Sequence, residues 1–465
     1  MTYHKTMARD TPPTIYLKKD SKDSPAAALP PEILSLIFEM AFKSTDDESI
    51  PDILCAVSQT WKNVAISNPH LWNRLTISLP LDVGAVAMKL KRSKESLLDI
   101  CIIVPYLEHE AFVDAGFSLP TLAEYQDLSN ELSPSYHRCR KLCIMGTFYA
   151  AQAIVDLILE PLRKISMPYL EEFTLNGENG DPDPVAKIDL FTDAPKLRAV
   201  RLGGYGLLYY RPPIHHITTL HLVALTRARY ALDFFTTFLP SIPSLAFLAL
   251  YEELIDGSFA NYPTKCSVPN LESLFILGPN TSAIAEILLF LSAPKLRELV
   301  ISPLSAKDLM TLHHVQDSAL PLFPNLQSLT ITPLRSSAPI RLDVDELPSR
   351  CFPGLKRLVL TNPGYNFFER LFGDSKAQLF QDLRELAVSN VDEEFLSVMD
   401  RVIERRGAWI ATLYMDTPSL QKINPSRRKW NPYGSKTSNI LVEANIWEEQ
   451  RQRAMYIDEE LRFTS

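Results

Sequence analysis

A chain of 465 residues with 46% hydrophobic content is long enough to bury a large core, as two or three globular units or as one extended stack. Its formal net charge of −8 argues against general binding to nucleic acid, which draws affinity from clustered positive charge and released counterions. No apolar run approaches the roughly 20 residues that a membrane-crossing helix needs, MTYHKTMARD lacks a signal-peptide core, and the six cysteines form neither a disulfide framework nor a C-x-x-C pair. The expected setting is therefore intracellular, cytoplasmic or nuclear, with most cysteines as buried thiols. Residues 1–25 mix Lys, Asp, Ser, Thr and Pro without periodicity and predict a disordered leader.

The first helix opens at Pro30 and Pro31, which suit a first turn where a missing N–H costs nothing, and Glu32 complements the positive end of the helix dipole. From Glu32 to Phe42 the polar residues Glu32, Ser35 and Glu39 form one narrow stripe. Ile33, Leu34, Leu36, Ile37, Phe38, Met40, Ala41 and Phe42 cover the rest, more apolar surface than a helix packed on one side needs. A second helix is predicted from about Ile53 to Ser67, carrying Val57, Trp61, Val64 and Ala65, and a third, short one opens at Asn68-Pro69 with Asn68 as its cap. A unit of about 45 residues buries little surface by itself, so the spare apolar face predicts association.

These residues resemble the F-box. The pattern L-P-x-E-I-L-x-x-I-F, then V-x-x-x-W, then L-W, is carried by Leu29, Pro30, Glu32, Ile33, Leu34, Ile37 and Phe38, by Val57 and Trp61, and by Leu71 and Trp72. The resemblance implies docking on the Skp adaptor of a Skp-cullin-F-box ubiquitin ligase, with Leu29, Pro30, Ile33, Ile37, Val57 and Trp61 as interface residues. Two features depart from the family pattern: Ser58 stands where a Cys often follows the Val, and the acidic stretch STDDE lengthens the loop before SIPDIL.

Beyond the helices the chain repeats. Nine segments of the form L-x-x-L-x-L, with Ile, Phe or Val as substitutes, start at Leu170, Leu197, Ile217, Leu245, Leu271, Leu296, Leu326, Leu355 and Leu383, 20 to 30 residues apart. Seven of the nine carry Pro two positions earlier, at 168, 195, 243, 269, 294, 324 and 353. This period predicts a leucine-rich-repeat-like solenoid of short parallel strands alternating with helices or irregular stretches. Proline belongs on the approach to a strand, where its absent N–H removes no interior ladder bond. The intervening ALDFFTTFL, TSAIAEILLFLS and DEEFLSVMDRVIERR have helical spacing, so each repeat reads as strand, loop, helix, loop. LTISL, LLDICIIV and KLCIMG read as strands of three degenerate early repeats. The Asn or Cys that leucine-rich repeats place after the third hydrophobe is missing, which predicts irregular turns.

The fold class is thus α/β: residues 26–75 a three-helix F-box, 76–420 a leucine-rich-repeat-like solenoid, and 421–465 a linker and C-terminal helix. The organisation looks like that of F-box proteins with leucine-rich-like repeats in fungi. In each strand, positions 3, 5 and 7 counted from the first hydrophobe project away from the leucine core. They place Phe247, Ala249, Tyr251, Ser273, Phe275 and Leu277 in an exposed aromatic patch, rimmed by Arg201 and His221 on one side and by Glu298, Arg357 and Glu385 on the other. Phe247, Tyr251, Phe275, Leu277 and Arg357 are the candidate substrate surface.

Catalytic signatures are missing: there is no G-x-S-x-G elbow and no H-E-x-x-H, and Gly203-Gly204-Tyr205-Gly206 lacks the spacing of a phosphate-binding loop and reads as a turn. His215-His216 with His221, and His313-His314, lack the Cys or carboxylate partners of a metal site. The basic runs Arg405-Arg406 and Arg427-Arg428-Lys429 read as solvated surface. The sequence therefore predicts a non-enzymatic, cofactor-free, substrate-recruiting subunit, with the Skp adaptor, the cullin core and a protein substrate as partners. The alternative of another class is a scaffold that engages the Skp adaptor without cullin.

Overall fold

Each L-x-x-L-x-L segment becomes one strand of a single parallel sheet. The computed structural model describes residues 29–45, 47–104, 121–146, 152–177, 188–204, 209–223, 237–251, 265–277, 284–302, 322–331, 352–361, 382–389, 412–415 and 440–443, with isolated positions between them. Its 14-stranded sheet runs in strict chain order. The strands are β1 (Arg74–Ile77), β2 (Leu98–Val104), β3 (Cys139–Gly146), β4 (Glu172–Gly177), β5 (Ala199–Gly204), β6 (Thr219–Val223) and β7 (Phe247–Tyr251). They continue as β8 (Ser273–Leu277), β9 (Glu298–Ser302), β10 (Ser328–Ile331), β11 (Arg357–Thr361), β12 (Glu385–Ser389), β13 (Thr412–Met415) and β14 (Ile440–Glu443). Sequential parallel pairing is what stacked coils produce, because each coil meets only the coils before and after it. LTISL, LLDICIIV and KLCIMG supply β1, β2 and β3.

The first, fourth and sixth positions of all nine motifs lie in the core, none more than 3% exposed. The prolines have a sharper role than avoidance of the ladder. In Met167-Pro168-Tyr169-Leu170 the Leu170 amide donates to the Met167 carbonyl at 3.1 Å, closing a β-turn with proline in its second position. The same bond closes Ala194 to Leu197, Ile242 to Leu245, Val268 to Leu271, Ala293 to Leu296, Phe323 to Leu326 and Phe352 to Leu355. Proline's fixed φ is preset for that position. Ile214 to Ile217 makes the turn without proline, at 3.3 Å.

The residue after the proline ties consecutive coils together. Asn270 Nδ2 donates to the Pro243 carbonyl at 2.8 Å and Asn325 Nδ2 to the Pro294 carbonyl at 2.7 Å. Ser244 Oγ reaches the Ile217 carbonyl at 3.1 Å, and at Gly354 an added Cβ would lie 3.3 Å from the Pro324 carbonyl oxygen. The side-chain ladder missing from its usual place after the strand is thus replaced, in part, by one before it.

Three helices precede the sheet: α1 (Pro31–Lys43), α2 (Ile50–Val57) and α3 (Gln59–Ser67), followed by a 3-10 turn at Pro69–Trp72. The helix expected to run unbroken from Ile53 to Ser67 is divided at Ser58, whose backbone is extended (φ −160, ψ 166) and whose Oγ accepts from the Trp61 amide at 3.2 Å. Serine competes for a neighbouring amide and so favours a cap over a helix interior. Asn68 caps the 3-10 turn as expected, its Oδ1 accepting from the His70 amide at 3.0 Å.

The strand, loop, helix, loop unit holds for only some repeats. Among the described residues, α4 (Val83–Ser93), α5 (Leu122–Leu132) and α6 (Gln152–Leu159) connect the first four strands, and α7 (Ile284–Phe290), from TSAIAEILLFLS, connects β8 to β9. Elsewhere the return paths include two-residue strand pairs, such as Ile188–Asp189 with Tyr210–Arg211. Of Gly203-Gly204-Tyr205-Gly206, expected as a turn, Gly203 and Gly204 are the last two residues of β5, with φ 46 at Gly204, and Tyr205 lies outside the described residues. Of ALDFFTTFL, Phe235, Thr237 and Phe238 are described as helical, as are residues 394–397 of DEEFLSVMDRVIERR; most of that second segment, and the whole of the leader, the 421–438 linker and the terminal helix, lie outside the described residues. β14 falls beyond residue 420, so the sheet outlasts the limit expected for the solenoid.

Leu274 on β8 is fully buried. Leu274→Ala is expected to lower the free energy of unfolding by about 2 to 5 kcal/mol. Asn270→Ala, which removes the hydrogen bonds to the Pro243 carbonyl and from Lys295 Nζ, is expected to lower it by about 1 kcal/mol. Urea denaturation followed by circular dichroism measures both.

Candidate docking site

Helix α1 buries one apolar seam and leaves a second apolar row in water, while two of its polar residues turn toward the protein. Leu34, Phe38 and Phe42 form one buried seam, packed with Leu54 of α2, Val64 and Ala65 of α3, and Leu71 and Trp72. Two residues of the polar stripe, Ser35 and Glu39, are half-buried while Glu32 is exposed: Asn68, itself buried, donates through Nδ2 to Ser35 Oγ at 2.8 Å and to Glu39 Oε1 at 3.1 Å. That arrangement turns Ile33, Leu36, Ile37 and Met40 outward at i, i+3, i+4 and i+7. Ile53 and Val57 on α2 are exposed as well, and all six residues are 45–65% exposed. A row of apolar side chains left in water while polar partners are used inside is the signature of an interaction surface.

Of the sequence-derived interface residues, Ile33, Ile37 and Val57 are exposed and Pro30 is exposed at the start of α1. Leu29 and Trp61 are only partly available: both pack against the helical core, Trp61 with its ring 4.9 Å from that of Phe38. Leu36, Met40 and Ile53 were not singled out as site residues, although Leu36 and Met40 stand three and seven positions after Ile33, which is the spacing of one helix face.

The helices are anchored to the first strand by the acidic loop that was expected only to lengthen a turn. Glu48 accepts from the Thr76 amide at 2.8 Å and from Thr76 Oγ1 at 2.5 Å, covering the open edge at β1. Arg74 Nη1 donates to the Thr45 carbonyl at 2.7 Å, with the guanidinium 4.8 Å over the Phe42 ring. Arg92 of α4 stands 4.3 Å over the Trp72 ring, whose Nε1 donates to the Ala65 carbonyl at 2.8 Å.

The second candidate surface lies on the sheet face opposite the leucine core. Phe247, Tyr251, Phe275 and Leu277 do come together there, with Val223, Ala249 and Val300. The patch is not exposed, however. Tyr251 is 4% and Phe275 1% exposed, while Phe247 and Leu277 are half-buried. Neighbouring strands about 4.8 Å apart bring large rings in adjacent positions into contact with each other. Phe247 lies 4.9 Å from Phe275 and 5.2 Å from His221, ring centre to ring centre. Arg357 is separate: it sits on β11, three strand spacings or about 14 Å from β8, with Glu385 at 3.7 Å and the Tyr414 ring at 5.7 Å.

His221, expected to be an ordinary exposed strand residue, is instead part of this packing. A hydrogen bond of 3.1 Å joins its Nδ1 to Tyr251 Oη. Burial, with the nearby Arg201 charge adding to it, lowers the imidazole pKa to about 4, and burial raises that of the Tyr251 phenol. Both groups are neutral at physiological pH.

Among the described residues no group of three His, Cys, Asp or Glu is placed to hold a metal ion, and no helix is long and apolar enough to cross a membrane. No protein-family model matches the chain, and no curated protein matches it in sequence. The crystal structure of the Rad7 and Elc1 complex in yeast contains a chain similar to this one at 13% sequence identity and a TM-score of 0.35, over 90% of this chain and 94% of that chain.

The folded pKa of His221, about 4, lies below the ordinary value of 6.5, so between these values the unfolded chain binds the proton and the folded one does not. Stability is expected to fall as pH drops from 6.5 toward 4. His221→Gln is expected to reduce that slope relative to the unchanged chain, as read from urea midpoints across this range.

Proposed function

We propose that this chain is the substrate-recruiting subunit of a Skp-cullin-F-box ubiquitin ligase. Its N-terminal helices dock the Skp adaptor and its parallel solenoid binds a protein substrate. The observation that carries this reading is the inverted α1: Ile33, Leu36, Ile37 and Met40 face water together with Ile53 and Val57, while Ser35 and Glu39 are tied to Asn68. The resemblance of Leu29, Pro30, Glu32, Ile33, Leu34, Ile37, Phe38, Val57 and Trp61 to the F-box supplies the class of partner. In this reading the chain is not itself an enzyme, ubiquitin transfer is carried out by the cullin-bound partner, and the complex acts in the cytoplasm or nucleus.

Because the exposed face is separate from the helical core, it can be changed without emptying that core. The full chain and an Ile33→Ala, Ile37→Ala, Val57→Ala variant are each co-purified with the Skp adaptor and cullin. The unchanged chain is expected to retain both, and the variant to bind the adaptor at least about tenfold more weakly with its circular dichroism and melting temperature preserved. Retention of adaptor without cullin would replace the ligase with a scaffold, and failure of the unchanged chain to bind the adaptor would overturn the proposal.

A further inference from the structure

Two thiols stand side by side on the open face of β2 and β3. Burial alternates along both strands: Leu98, Ile100, Ile102 and Val104, with Leu142, Ile144 and Gly146, turn inward, so Asp99, Cys101 and Ile103 share the opposite face with Lys141, Cys143 and Met145. The pairing sets Cys101 directly opposite Cys143, and the same row continues to Thr76 on β1 and Thr174 on β4. Both cysteines are in the thiol form and half-buried. The register around them is held by charged pairs: Arg140 grips both oxygens of Asp99 at 3.0 and 2.6 Å, and Lys141 meets Glu172 at 2.7 Å.

The spacing suits a disulfide. Neighbouring strands run about 4.8 Å apart, within the range of roughly 4.4 to 6.8 Å that separates the Cα atoms of bridged cysteines. Their Cβ atoms point the same way and need to approach by about an ångström to reach disulfide distance. The other described cysteines have no such neighbour. Cys139 and Cys266 are buried, and burial pushes both thiols up, that of Cys266 to about 11. Cys55 lies on α2, apart from the sheet, and Cys351 is outside the described residues.

We propose that Cys101 and Cys143 form a redox-sensitive dithiol, a modification site whose co-reactant is a hydroperoxide. One thiolate attacks the peroxide O–O bond, becomes a sulfenic acid and releases water, or an alcohol from an alkyl hydroperoxide. The second sulfur then attacks the sulfenic sulfur, the S–O bond breaks, water leaves and the S–S bond forms. Two thiols lose two protons and two electrons, and hydrogen peroxide becomes two waters. The product staples β2 to β3 beside the helical unit, and a dithiol reductant reopens it. The site is independent of the ligase reading.

The test uses the reduced full chain treated with hydrogen peroxide, blocked with N-ethylmaleimide and analysed by intact and peptide mass spectrometry. The expected product is lighter by two hydrogens before blocking, contains one intramolecular link between the Cys101 and Cys143 peptides, and is reversed by dithiothreitol. Cys101→Ser and Cys143→Ser are each expected to abolish the link and to leave oxygenated products on the remaining thiol, whereas Cys55→Ser preserves it. Without any oxidant, phenylarsine oxide, which needs two adjacent thiols, is expected to bind the unchanged chain with one-to-one stoichiometry and neither single variant. Oxygenation of both cysteines without a link, a link to another cysteine or between chains, or absence of arsenical binding at this pair would overturn the proposal.

Discussion

The fold depends on one local backbone hydrogen bond made again and again: the amide of a motif's first hydrophobe donates to the carbonyl three residues before it. That turn delivers the chain into the sheet at the same height in each coil. The next amides then pair with the preceding coil, Glu272 to Ala246, Arg297 to Glu272, Gln327 to Arg297 and Lys356 to Gln327, all at 2.8 or 2.9 Å. With entry fixed, positions four and six fall inward and positions three, five and seven outward, since side chains alternate across a strand. A slip of one residue would reverse the whole set, so leucine burial and proline-turn geometry enforce the same register from opposite ends of each motif.

The repeat was legible because its two signals, leucine spacing and proline position, are local and period-bound. Where the structure departs from expectation, the cause is a competition that spacing does not display. Ser58 looks like a tolerable helix residue until its hydroxyl takes the Trp61 amide. The return paths are not uniformly helical, because the outer side of a coil must span between strands and hydrophobic spacing alone leaves its conformation open. On the sheet's second face, Phe247, Tyr251, Phe275 and Leu277 lie in one cluster, as alternation along each strand implies. It could not show that large rings on adjacent strands would cover one another, because which side chains meet across strands follows from pairing register, which no single strand contains.

The docking face shows the same division. Its apolar character was visible along the sequence, as eleven residues of α1 with three polar ones. Which of its two apolar sides would be buried was not, because that choice is set by residues distant in sequence: Leu54, Val64, Ala65, Leu71 and Trp72 pack against one side, and Asn68, about 30 positions away, pairs with Ser35 and Glu39. Leaving the buried Asn68 amide unpaired would cost about 1 to 3 kcal/mol, and burial of Leu34, Phe38 and Phe42, each about 1.5 to 3 kcal/mol, favours the same orientation of the helix. Leu34, Phe38 and Phe42 follow the polar pair into the unit, and Ile33, Leu36, Ile37 and Met40 are left outside.

Glu48 and Arg74 join these two levels. By binding Thr76 and the Thr45 carbonyl they attach the helices to the first strand through hydrogen bonds at both ends of one short connection. An apolar face on a loosely tethered helical unit could take many orientations relative to the sheet, and ordering it at the moment of binding would cost conformational entropy. Fixing it in advance removes that cost, and under the proposed function it sets one geometry between the adaptor and the substrate. The acidic stretch STDDE therefore couples the exposed apolar face to the sheet, and it does so at β1, where the sheet would otherwise present an unpaired edge.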